Sequence, residues 1–109
     1  MTTRNDRANI DLVTRTRMDR VASYSGWKFD FRQEEADKCD NINQELEWLC
    51  GAKSQGEVMN LSKKKVGPGL FELYMSSREM GQYTIYKYKG LFTAKAVEEF
   101  VNGWYLKYS

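Results

Sequence analysis

Residues 81–90, GQYTIYKYKG, set Tyr83, Tyr86 and Tyr88 among Lys87 and Lys89. Tyrosine rings on a strand bury much area at little entropic cost, and they stack on unpaired bases; lysine beside them answers phosphate or carboxylate. These residues suit recognition rather than bond-making. Lys63, Lys64 and Lys65 in SKKKVGPG form a second basic group that could grip phosphates or an acidic protein surface. The Gly-Pro-Gly beside them lacks the Gly-x-x-x-x-Gly-Lys-Ser/Thr pattern of a phosphate-cradling loop. Arg4, Arg7, Arg15, Arg17 and Arg20 form a basic arm whose guanidiniums fit phosphate or carboxylate forks. Each group also has a plain reading: cross-strand aromatic pairing for the tyrosines, and solvated surface for the cations.

The chain contains no histidine. This removes the commonest general base and metal ligand, and every Ser-His or Cys-His nucleophile. Glu34, Glu35, Asp37, Asp40, Glu45 and Glu47 crowd one segment, yet no Asp-x-Asp-x-Asp-Gly loop organises them for calcium. Cys39 and Cys50 are the only cysteines; they read as small buried hydrophobes sharing one helix face, too far apart for a bridge. No nucleophile, acid and base converge. We expect no enzymatic activity, no metal and no cofactor.

Charge is segregated along the 109 residues. Residues 1–29 hold six basic and three acidic side chains, 30–50 two and seven, and 51–109 nine and five, for a net +2. Basic ends around an acidic middle give a strong local field despite a near-neutral total. No apolar run is long enough to span a membrane. The opening MTTRNDRANIDLV lacks the apolar core of a secretion signal. A cytoplasmic location and no membrane partner are the expectations.

The elements that must position these groups follow from periodicity. Residues 1–8 are polar and read as a frayed end, with 9–109 as a single α+β domain. Ile10, Val13, Val21 and Tyr24 cluster at 100° per residue, which predicts a helix over 9–24. In WKFDF, Trp27, Phe29 and Phe31 alternate, as in a short strand or an aromatic plug under a turn. A helix over 31–50 follows, with Asp30 as N-cap, a stripe of Ala36, Cys39, Ile42, Leu46, Leu49 and Cys50, and Gly51 as its terminator. Strands are expected at 56–61, 70–75 and 82–89, the last two joined by a loop over 76–81. The final helix spans 94–107, with Thr93 as N-cap and Phe92 stapled onto Val97. Gly103 costs that helix about 1 kcal/mol relative to alanine, which points to a close neighbour.

The expected architecture is a three-stranded antiparallel meander with two to three helices packed on one face, in the order α-α-β-β-β-α. Phe71, Leu73, Met75, Tyr83 and Ile85 should face the helices. Thr84, Tyr86 and Tyr88 should then face outward near Tyr74 and Glu72. The run α-β-β-β-α over 33–106 is similar in order to double-stranded-RNA-binding domains, but the last helix opens TAKAVEEF and lacks that family's basic cluster. Order alone does not establish function.

The functional expectation is a small non-enzymatic protein that docks on a protein or nucleoprotein partner as inhibitor or adaptor. A phage or mobile-element accessory protein that blocks a host nucleic-acid enzyme, such as a CRISPR nuclease, would fit. The alternatives are an RNA or single-stranded nucleic-acid binder, and self-association as a homodimer. Partner-binding residues are expected at Tyr74, Tyr86, Tyr88, Lys87, Lys89, Lys63, Lys64, Lys65, Arg15 and Arg17.

Overall fold

The computed structural model describes residues 4–26 and 32–109. The WKFDF strand and the Asp30 cap lie outside these residues. The elements are α1 (Arg4–Arg15), β1 (Met18–Ser25), α2 (Gln33–Gln44), β2 (Glu47–Ser54), β3 (Glu57–Gly67), β4 (Leu70–Glu79), β5 (Gln82–Tyr88), β6 (Phe92–Thr93) and α3 (Ala94–Tyr108). Five strands form one antiparallel sheet in the order β1-β5-β4-β3-β2, and the short β6 pairs with β4.

The three-stranded meander is therefore corrected to a sheet of five long strands and one short one, in the order α-β-α-β-β-β-β-β-α. The helix expected over 9–24 is α1 followed by β1. The helix expected over 31–50 ends at Gln44, and its tail is β2. Cys39 and Cys50 thus lie on different elements, both as free thiols. Gly51 ends no helix; it sits within β2, opposite Asn60.

Helices cover both sheet faces rather than one. Buried Val13 of α1 and Val97, Phe100 and Trp104 of α3 pack with Met59, Leu61, Leu73, Met75 and Tyr88 on one face. Buried Cys39 of α2, with Ile42 and Leu46 beside it, packs with Ala22, Tyr74 and Ile85 on the other. Tight turns fix this division. Gln55-Gly56 and Met80-Gly81 all have positive φ, which suits two-residue hairpins of mirror-image type. Strand β4 runs on to Glu79, so the second turn pairs Met75 with Tyr86 and Ser76 with Ile85. Opposite residues share a face, so the expected assignment is off by one and every side chain of β5 is reversed against it.

Helix α3 forms as expected, and Thr93 accepts a cap hydrogen bond from the Ala96 N–H at 3.2 Å. Phe92 and Val97 join the same buried cluster. Gly103 packs against α1 so closely that an added Cβ would overlap the Asn9 carbonyl. The missing side chain lets the two helices meet backbone to backbone.

Candidate interaction surface

The tyrosines do not share a face. Tyr88 is 1% exposed, meets Phe100 edge to face at 4.6 Å, and turns its hydroxyl toward Met75 Sδ at 3.6 Å. Burial pushes its phenol far above the usual tyrosine range. Tyr86 is half-buried against the same core. Tyr74 lies on the opposite face, buried beside α2, and donates to Glu72 Oε1 at 3.2 Å. Burial raises its pKa too. The outward row of Tyr74, Tyr86 and Tyr88 is overturned: rings at even positions of β4 and β5 point to opposite sides once the short turn sets the register.

The lysines are also dispersed. Lys63, Lys64 and Lys65 belong to β3 rather than to a loop, so Lys64 faces away from its two neighbours. Lys63 lies over the Phe71 ring at 4.7 Å and reaches Glu47 at 3.6 Å. Lys64 bonds Glu45 at 2.8 Å, which raises its pKa. Lys87 donates to Glu72 at 2.6 Å, and Lys89 stands 4.0 Å from Asp19. Lys65 is exposed, as are Arg15 at the end of α1 and Arg17, whose carbonyl accepts from the Lys89 N–H. Of the ten expected residues, Tyr74, Lys64 and Lys87 come together around Glu72. The hydrogen bond from Lys87 holds Glu72 below the usual carboxylate range, against the opposing effect of burial.

The surface that stands open lies elsewhere. Helix α2 rests over β1, β5 and β4 and, among the described residues, leaves the β2–β3 half of that sheet face bare. Trp48 lies on this half and is 63% exposed. Its indole N–H donates to Asn60 Oδ1 at 3.0 Å. A Cβ added at Gly51 would come within 2.8 Å of that same oxygen. Gly51 thus leaves room for the Asn60 amide to lie across the strand and hold the ring. Val58, Ser62 and Lys53 complete the surface around it.

Trp48 and Asn60 are the residues that periodicity did not single out, and Gly51 reads from sequence only as a helix terminator. A signal was present: on a helix over 31–50, Trp48 falls off the apolar stripe, leaving a large ring with nowhere to go. Among the described residues no three His, Cys, Asp or Glu side chains are placed to hold a metal ion. No helix among them is long and apolar enough to cross a membrane. No family model, curated protein or solved structure matches the chain.

Proposed function

We propose that the chain is a small non-enzymatic binding protein that works by occupying the surface of a protein partner, as inhibitor or adaptor. The observation that carries this reading is the exposed Trp48 ring, held in place by Asn60 on a bare sheet half. Tryptophan is the side chain most enriched at binding hot spots, and a ring already fixed loses little freedom on docking. The nucleic-acid reading loses ground on two counts. The Tyr88 ring it needs is inside, and four of its lysines already stand beside carboxylates. A phosphate backbone would have to compete with those pairs.

The test is capture of partners on the immobilised chain from a nuclease-treated lysate, washed at ~0.5 M salt to screen surface charge. The expected result is a stoichiometric protein retained by the native chain and lost with Trp48→Ala. Retention that Trp48→Ala leaves unchanged would overturn this reading, as would a chain that holds only nucleic acid.

A further inference from the structure

The sheet has two edges, and they are not alike. Edge strand β1 carries Asp19 and Arg20 side by side, with Arg17 before them and Lys89 next to Asp19. Such charges guard an edge against pairing with another chain. Edge strand β2 has charges only near its ends, at Glu47 and Lys53, around an uncharged Trp48-Leu49-Cys50-Gly51-Ala52. No strand among the described residues pairs with its outer side. Apolar surface flanks it on both faces: Trp48 on one, and on the other a groove of about 550 Å³ lined by Leu49, Phe71, Val101 and Tyr105.

The side chains of β2 are self-complementary about Gly51. The register with β3 shifts between Trp48 and Cys50, so a bulge lets Leu49 and Cys50 share one position. Trp48, Gly51 and Lys53 then face the bare side, while Glu47, Cys50, Ala52 and Ser54 face the α3 side. An antiparallel second copy centred on Gly51 puts Gly51 opposite Gly51, Trp48 opposite Lys53, Leu49 and Cys50 opposite Ala52, and Glu47 opposite Ser54. Every pair matches in face and no like charges meet. The ammonium of Lys53 would stand by the exposed indole, a cation–π pair formed twice.

We propose that this chain forms a two-fold dimer by antiparallel pairing of β2 with β2 of a second copy, centred on Gly51. The partner is a second copy, because this pairing sets each Lys53 beside a Trp48 ring, matches every face across the bulge and brings no like charges together. The two bare half-sheets then join into one floor with both Trp48 rings at its seam. The dimer does not rest on the proposed function, since pairing is read with no partner present.

Sedimentation equilibrium on the full chain between about 1 and 100 µM tests this, a range that covers dissociation constants typical of modest dimers. The native chain should sediment as a dimer at the upper end. Trp48→Lys sets like charges opposite each other twice and should weaken the dimer by about 100-fold. Adding Lys53→Glu to that variant replaces each repulsion with an opposite-charge pair and should restore the dimer. Both positions are exposed, so the monomer should fold in each variant. A native chain that stays monomeric at the highest concentration would overturn the proposal. So would a dimer indifferent to Trp48→Lys, or one that Lys53→Glu fails to rescue. A native chain that dimerises but captures no partner protein would count against the proposed function alone.

Discussion

Glu72 draws an ammonium, a phenol and a second lysine toward one carboxylate on the α2 side of the sheet. Its side chain is 16% exposed and that of Lys87 is 37%, so solvent screens the pair only in part. Because the folded-state pKa of Glu72 is lowered, its contribution is complete above the unfolded carboxylate value. It is lost as pH falls through the folded value. Lys87 has the opposite sign: its pKa is raised, so its contribution fades as pH rises through that value. We expect Glu72→Gln to lower stability by about 1 kcal/mol at pH 7 and to flatten the acid limb. Melting temperatures from pH 7 to pH 3 check this; equal acid slopes in the two proteins would refute it. Two further outcomes belong to single side chains. Tyr88→Ala should cost about 3–5 kcal/mol, since it empties a site at the centre of the core. Trp48→Ala should stay within about 0.5 kcal/mol of the native chain, because most of its ring faces water. Urea unfolding of both variants measures the contrast.

Among the elements, the junction of α1 and α3 gives the sharpest test. Helix propensity alone says that Gly103→Ala should stabilise α3 by about 1 kcal/mol. The Asn9 carbonyl occupies the space that the new methyl needs, so we expect a loss of about 2–4 kcal/mol. The sign of the change, read from urea midpoints, decides between them. The elements also differ in how readable they are from sequence. Helix α3 is legible because its cap, staple and apolar stripe all agree, and β4 and β5 because their period of two is long and clean. Besides the two-residue β6, the strands that periodicity hides are the edge strands, and each carries a bulge. In β2, Leu49 and Cys50 fall to the same side, and with Leu46 they imitate the i, i+3, i+4 stripe of a helix. In β1 the register shifts between Arg20 and Ala22, which breaks the alternation before it can be seen. An irregular strand escapes a pattern search because its bulge puts two neighbouring side chains on one face and breaks the alternation.

For the whole molecule, the division of the sheet into two covered faces decides where a partner can go. Position in the fold is poorly legible because it depends on the register between strands, which periodicity within one strand does not set. Pairing of Met75 with Tyr86 puts Tyr86 and Tyr88 on the face of Leu73 and Met75, and Tyr74 on the other. The segregated charges, by contrast, are legible but misleading: the last two acids of the acidic middle fold back onto basic β3, with Glu45 on Lys64 and Glu47 near Lys63. Such pairing occupies Lys63 and Lys64, as Glu72 and Asp19 do Lys87 and Lys89, and we expect fluorescence anisotropy with single-stranded RNA or DNA at 0.15 M salt, where the Debye length is about 8 Å, to show no binding tighter than about 100 µM. Micromolar binding would mean that these lysines leave their carboxylates readily for phosphate, and would restore the nucleic-acid reading.

The meeting of Asn9 with Gly103 also bears on how the chain is made. Helix α1 precedes the five long strands in the chain and packs mainly on α3, which follows them, so α1 must wait, undocked, through synthesis of the sheet. Contacts this distant in sequence slow the search for the native arrangement. They also fuse α1 and α3 into one cooperative unit. Synthesis of α3 is therefore the event that lets α1 dock.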